Sequence, residues 1–449
     1  MFDDFQLSFQ QQHVYNVMMS GENVALFGEA GTGKSVVVRK FLQSKSKVGD
    51  TVCLAPTGLA ARNIGEAQTI HSFFSLDPGW VSGQPIKASS QLQYMLPHIR
   101  TIIIDEISMV RSDIFELIDQ GLRANPITSS HHPFGGRQII VVGDFKQLPP
   151  VVSDENIQIF LDSKYGGNYA FKTKSWHDAQ FKNYHLNQIY RQDDPRYINI
   201  LNQLRNNIQL QHALATFNTR VCPFFSNSDF QYSPGMALCS IRKHAAEINI
   251  RVLSTLPGMI YQNEARVRGV FPPNEYPADF NLELKVGAKV MLLANKKTPP
   301  IILTEEYDYV NGDTGIITGF DANSSAIGVL LKSGKTVLVH PYLWFNYEYA
   351  LQEEDGEIKI KALPVGTFEQ FPIAVAYACT IHKAQGQTLD NIHLILGRGC
   401  FVSGQLYTAL SRVRRLENLS LESEIKTTDA ICDPMVDDFY MKIQYEKIL

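Results

Sequence analysis

Val24-Ala25-Leu26-Phe27-Gly28-Glu29-Ala30-Gly31-Thr32-Gly33-Lys34-Ser35 passes from a short apolar run through a glycine-rich turn into a helical pattern over 36–42. Strand, then G-x-x-x-x-G-K-[ST], then helix is the order that builds a phosphate-cradling loop. Its glycines let successive backbone N–H groups converge on phosphate oxygens, and the helix N-terminus adds a favourable partial charge. Gly28, Glu29, Ala30, Gly31, Thr32 and Gly33 are the expected cradle. Lys34 is expected to reach the β- and γ-phosphates, and the Ser35 hydroxyl to ligate Mg²⁺.

Outward from this loop, apolar runs at 52–55, 102–104 and 139–142 read as buried parallel strands with helical patterns between them. That is βαβ logic and an α/β fold. Ligands of such sheets bind beyond the carboxyl ends of the strands, where Asp105-Glu106 closes the run Thr101–Ile104. Asp105 is expected in the Mg²⁺ shell, with Glu106 orienting and deprotonating an attacking water. An acidic pair at a strand end is by itself a solvated turn; the phosphate loop upstream gives it meaning. Gly143-Asp144-Phe145-Lys146-Gln147-Leu148-Pro149-Pro150 ends the next strand. Gln147 there can hydrogen-bond the γ-phosphate or the water, on a loop stiffened by two prolines.

A chain of 449 residues has room for about three domains. The first α/β stretch runs to about 185. A second comes in two pieces, 186–255 and 370–425. Between them 256–369 changes character: Asn311-Gly312 and Ser333-Gly334 turn signals, alternation over 336–340 and many aromatics suggest an inserted β-barrel. In 426–449, Val436, Phe439, Tyr440 and Ile443 share one helical face and suggest a docking helix.

Lys plus Arg number 41 against 45 Asp plus Glu, a formal charge of −4. That excludes indiscriminate coating of a polyanion and requires any nucleic-acid grip to be local. The run 371–381 is too short to span a bilayer, and the acidic N-terminus has neither a signal nor a transit pattern. Six scattered cysteines without a C-x-x-C pair argue against a zinc site or disulfide framework and fit a reducing, cytosol-like compartment.

From Leu7 to about Val413 the chain resembles superfamily-one helicases, and within them the Pif (petite integration frequency) family of 5′-to-3′ DNA helicases. Leu7-Ser8-Phe9-Gln10-Gln11 resembles the family's glutamine motif, which implies that Gln11 reads an adenine edge; Ser8 with Gln11 also makes a helix capping box, and the two roles can coexist. Ala55–Ala61 and Thr69-Ile70-His71-Ser72-Phe73-Phe74 resemble DNA-facing motifs. The resemblance implies phosphate or sugar contacts for Thr57 and His71 and base stacking for Phe74, although Phe73 and Phe74 read equally well as core. Pro149 is placed with this DNA-facing set. Pro133–Gln138 resembles the signature that separates this family from its relatives.

In the second half, Ile189-Tyr190-Arg191-Gln192 resembles the motif whose arginine reaches the γ-phosphate. Thr380–Thr388 resembles a motif contacting both DNA and ATP, which implies DNA contacts for Thr380, His382 and Lys383 and nucleotide contact for Gly386. Gly404–Arg412 resembles the final motif, making Arg412 an arginine finger. The family's architecture implies two RecA-like parallel-sheet cores, a small wedge insertion near 75–100 in the first and an SH3-like β-barrel insertion in the second. It also implies ATP and Mg²⁺ as cofactors, single-stranded and forked or structured DNA as partners, no membrane, and a monomer. The stretches 294–309 and 341–370 match no family pattern; Tyr342, Trp344, Phe345, Tyr347 and Tyr349 are either a base-stacking surface or ordinary strand residues. A RecD-type or phage replication helicase, a DNA-stimulated ATPase that displaces bound proteins, and a P-loop small-molecule kinase are the competing readings.

Overall fold

The computed structural model describes residues 6–45, 48–57, 60, 61, 64, 67–76, 90–152, 155–222, 235–294, 296–297, 307–309, 311, 313–321, 325–354 and 357–448. The first α/β stretch forms a six-stranded sheet from β1 (Val24–Gly28), β2 (Thr51–Ala55), β3 (Gln68–Thr69), β4 (Thr101–Ile104), β5 (Gln138–Gly143) and β6 (Lys182–Leu186). Its order is β3-β2-β4-β5-β1-β6, parallel throughout. The four apolar runs are its centre. The remaining pair, β3 and β6, are a two-residue polar strand and Lys-Asn-Tyr-His-Leu, neither of which has the apolar run of a buried strand.

Every residue of β1, β4 and β5 is buried, the condition of parallel strands covered on both faces. The pleat sends Ala25 and Phe27 into one hydrophobic layer and Val24 and Leu26 into the other.

The second sheet contains β7 (Met236–Cys239), β8 (Ala378–Thr380), β9 (Ile392–Ile395) and β10 (Leu419–Leu421), ordered β8-β7-β9-β10 and again parallel. Helix α1 (Pro195–Arg205) starts on proline with Asp194 capping it and packs Tyr197, Ile200, Leu201 and Leu204 against this sheet's core.

Between β7 and β8 the chain builds the β-rich insertion. Its main sheet is antiparallel, in the order Thr336–Val339, Ala326–Leu331, Thr314–Asp321, Lys289–Leu292, Ile373–Val375. The Ser333-Gly334 turn closes the expected hairpin, with Gly334 at φ +86°. Pairing of Ile373–Val375 with Lys289–Leu292 carries this sheet past residue 369. The aromatic cluster is not part of it. Tyr342–Glu354 and Glu357–Gln370 form a long hairpin joined to Arg266–Gly269 in a separate sheet. There Trp344 is buried against Phe368 at 5.9 Å, while Tyr342 and Phe345 are partly exposed. Most of the expected wedge, 77–89, lies outside the described residues.

The C-terminal helix α2 (Pro434–Lys442) crosses back to the first half. Val436, Phe439, Tyr440 and Ile443 pack on the layer containing Phe27, Phe145 and Trp176, as the one-sided apolar pattern requires.

Candidate active site

Five segments that the sequence marks as candidate catalytic or DNA-facing sites follow strands of the first sheet at its carboxyl edge: the phosphate loop after β1, Thr57 after β2, His71 after β3, Asp105-Glu106 after β4 and the Gln147 loop after β5. Gly31 and Gly33 have φ of +88° and +80°, a conformation that favours glycine. Close approach excludes side chains as well. A Cβ on Gly31 would lie 2.4 Å from Arg191 Cβ, and one on Gly33 would lie 2.5 Å from Gln11 Nε2. Lys34 Nζ donates to the carbonyls of Gly28 at 2.7 Å and Glu29 at 3.1 Å. Burial pulls its ammonium below the usual lysine value, against the pull of Asp144, Glu106, Asp105 and Glu29. Ser35 is half-buried at the helix start.

Both sequence readings of Gln11 have a geometric basis. Its Oε1 accepts from Ser8 N–H at 3.0 Å and its N–H donates to Ser8 Oγ, completing the capping box. Its Nε2 donates to Thr32 O at 3.3 Å, holding the amide against the phosphate loop.

Asp105 is buried at the end of β4. Burial first, then Glu106, raises its carboxyl to about 7, with Lys34 and Arg39 acting in opposition. A buried acid raised in this way, with Lys34 of the phosphate loop near enough to oppose the shift, is a site that a divalent cation would relieve. The residues therefore fit Mg²⁺, with Ser35 and Asp105 to hold it. Glu106 sits at φ +50°, ψ +46°, and its Oε2 accepts from Gln385 Nε2 of the second half at 3.2 Å.

The second half closes over the loop from the other side. Tyr190 N–H donates to Gly31 O at 2.9 Å, and Ala30 N–H donates to Tyr407 Oη at 3.2 Å. Arg191 Nη1 and Nη2 donate to the carbonyls of Ser411 and Gly386. Arg412 is 1% exposed and donates to Thr408 O, Ala384 O, Gln387 O and Ser411 Oγ. Burial lowers Arg191 to about 10 and Arg412 to about 9. Repulsion from Arg191 lowers Arg412 further, and Tyr407 and then Glu106 offset only part of the cost. An anion placed between two such cations would offset that cost.

Gln147 is buried and its N–H donates to Asp144 O at 2.9 Å. Pro149 is half-buried beside it. Among the DNA-facing candidates, Thr57 Oγ1 accepts from Ala60 N–H. His71 is half-buried, and burial and then Arg111 lower its imidazole. The insertion reaches this segment, since Thr69 Oγ1 donates to Glu275 Oε1 at 3.1 Å. In the second half His382 is half-buried, with its pKa lowered by burial and by Arg242, and Lys383 is exposed.

Two expectations need correction. Phe74 is 1% exposed, in the first sheet's hydrophobic layer, with its ring edge-on to Phe73 at 4.9 Å; it is a core residue with no face for a base. Thr380 is buried and its hydroxyl accepts from Lys383 N–H, so it caps the turn that presents His382 and Lys383.

The sequence profile of the PIF1-like helicases matches residues 6–209. ATP-dependent DNA helicase Pif1 of Campylobacter jejuni is 30% identical over 91% of this chain and 90% of its own length. The chain belongs to the PIF1-like helicase family. ATP-dependent DNA helicase PIF1 of Homo sapiens is 31% identical over 98% of this chain, and the chain spans 64% of that relative's length. The crystal structure of Bacteroides sp Pif1 in complex with ADP-AlF4 is 32% identical, covers 98% of this chain and 97% of its own, and superposes with a TM-score of 0.84. The same Bacteroides protein bound to ssDNA gives 0.67.

In this PIF1-like helicase, three residues that cross between the halves, Gln385, Tyr407 and Arg205, carry no signal of their own in the sequence. Gln385 and Tyr407 lie inside stretches quoted for other members. Arg205 follows Leu201 by four on the buried face of α1, where an arginine carries a signal only if it has a buried partner.

Proposed function

We propose that this chain is an ATP-dependent 5′-to-3′ DNA helicase that translocates on single-stranded DNA and unwinds duplexes in replication, repair or recombination. The carrying observation is that Arg191 of the second half packs against Gly31 of the phosphate loop, with the buried Arg412 near enough to feel its charge. The reading assigns 1–185 to the first RecA-like core, 186–255 with 370–425 to the second, 256–369 to the SH3-like insertion and 426–449 to a docking helix.

ATP is the substrate, cradled by 28–35 with Gln11 at the adenine and Gly386 near the phosphates. Lys34 would leave the carbonyls of Gly28 and Glu29 for the phosphates. Mg²⁺, held by Ser35 and Asp105, would neutralise phosphate charge. Glu106 would orient the water and take its proton, and Gln147 would report the γ-phosphate. Arg191 and Arg412 would stabilise charge developing there, an effect of about 10³–10⁵ in rate for arginine fingers generally. They can do this only with the halves closed, so hydrolysis and domain position are linked. DNA held by Thr57 and His71 on one side and His382 and Lys383 on the other would then advance stepwise. Grip through the backbone reconciles DNA binding with a net charge of −4 and requires a marked salt dependence.

The names of the relatives, DNA helicases that depend on ATP, support this reading. A forked duplex with only a 5′ single-stranded tail is expected to be unwound with ATP and Mg²⁺, and one with only a 3′ tail to remain intact. The reverse preference contradicts the proposal.

A further inference from the structure

We infer that Arg205 is a positioning residue through which the second half of the molecule controls the loop 143–150, so that the placement of Gln147 depends on where that half sits. The inference rests on the ATP-driven reading above.

Arg205 ends α1 and by packing belongs to the second half: Tyr197, Ile200, Leu201 and Leu204 of the same helix lie in the core of the second sheet. Its guanidinium does not stay there. Nη2 donates to Asp144 Oδ1 at 2.8 Å and Nε to Asp144 Oδ2 at 3.3 Å, a two-pronged grip on a residue of the first half. Asp144 is 1% exposed and Arg205 7%. A pair this buried recovers its desolvation cost only through good geometry and further hydrogen bonds.

Those further bonds converge on the loop. Asp144 Oδ1 also accepts from Lys146 N–H at 3.1 Å, and Asp144 O accepts from Gln147 N–H at 2.9 Å. Asp144 is thus the hub of the turn that sets Gln147, and Arg205 is its counter-ion. The helix α2 completes the clamp. Tyr440 Oη donates to Asp144 Oδ1 at 3.2 Å and accepts from Phe145 N–H at 3.0 Å, with its ring 5.5 Å from the guanidinium carbon. Arg205 Nη1 also lies 3.8 Å from Glu29 Oε1 of the phosphate loop. One side chain from the second half therefore touches both loops that handle the γ-phosphate. Asp144 is held below the usual carboxylate range because Arg205, with Lys34, outweighs its burial.

The choice of arginine matters. Lysine keeps the charge but cannot form the fork that engages both oxygens. Arg205→Lys is therefore the fold-preserving variant, with Arg205→Ala and Asp144→Asn beside it, all in the full chain. Steady-state ATPase is measured with and without oligo(dT), together with oligo(dT) affinity and thermal midpoint. Arg205→Lys and Arg205→Ala are expected to keep the ATP KM and the oligo(dT) Kd within about threefold while the DNA-stimulated kcat falls at least about tenfold. Arg205→Ala combined with Asp144→Asn should be no more than about threefold worse than Arg205→Ala alone, because both remove one coupling. Stimulated kcat within about twofold of wild type for Arg205→Lys, fully additive losses, or losses in KM and DNA affinity that track the thermal midpoint would overturn the inference. A wild-type chain whose turnover ignores DNA would instead remove the reading beneath it.

Discussion

Gln385 Nε2 of the second half donates to Glu106 Oε2 of the first across 3.2 Å. Glu106 is the expected base, and it sits in a left-handed backbone conformation that costs a non-glycine residue on the order of 1 kcal/mol. The bond places the carboxylate under the control of the opposite half. Gln385→Ala is expected to lower the ratio of turnover with DNA to turnover without it by at least about threefold, at nearly unchanged ATP KM. An unchanged ratio would show the contact to be incidental.

Lys34→Ala should abolish ATP hydrolysis while leaving single-strand binding measurable by fluorescence anisotropy. The lysine now rests on the carbonyls of Gly28 and Glu29, so its loss removes the proposed phosphate ligand without opening the core. Full turnover in this variant would contradict the phosphate assignment.

Arg412→Lys is expected to reduce kcat by on the order of 10³ with less than about tenfold change in ATP affinity. The buried position and the shared carbonyls of Ala384 and Gln387 make the lysine variant more informative than truncation. Equal losses in binding and turnover would refute the finger role.

Phe74→Ala should act on stability and Lys383→Ala on DNA. Removing a buried ring costs about 3–5 kcal/mol, read as a lowered denaturation midpoint, with oligo(dT) affinity of the folded fraction retained. Lys383 is exposed; its loss should weaken binding evenly across sequences and reduce the salt slope by about 1. A Phe74 variant of normal stability that bound DNA poorly would restore the stacking role.

Acid should destabilise the second sheet through His393. Burial pulls this imidazole down to about 4, whereas an unfolded histidine titrates near 6.5. Between those values the unfolded chain gains a proton that the folded one refuses, so stability falls as pH drops from about 6.5 to about 4, by up to about 3 kcal/mol. Thermal midpoints of wild type and His393→Asn across that range should converge at acid pH. Parallel curves would exclude the assignment.

The P-loop and the four central strands of the first sheet were legible because a buried parallel strand is written as an unbroken apolar run ended by a functional turn. The strands β3 and β6 were not, since Gln68-Thr69 and Lys182–Leu186 owe their pairing to neighbours rather than to their own composition. The long hairpin 342–370 was hidden for a similar reason: its aromatics fit either a stacking surface or a strand until Trp344 is seen against Phe368. The site divides in the same way. Residues inside contiguous motifs could be named from order and spacing. Arg205, Asp144 and Tyr440 meet across 61 and 296 positions of sequence, and no local pattern encodes such a contact.

The most direct measurement is the ATPase rate of the purified chain as oligo(dT) is titrated from none to saturation at fixed Mg²⁺. Turnover should rise at least about tenfold and saturate with the oligonucleotide, because in the proposed mechanism DNA held by both halves favours the arrangement that hydrolyses ATP. A rate that is the same at zero and saturating DNA would contradict the account at its root.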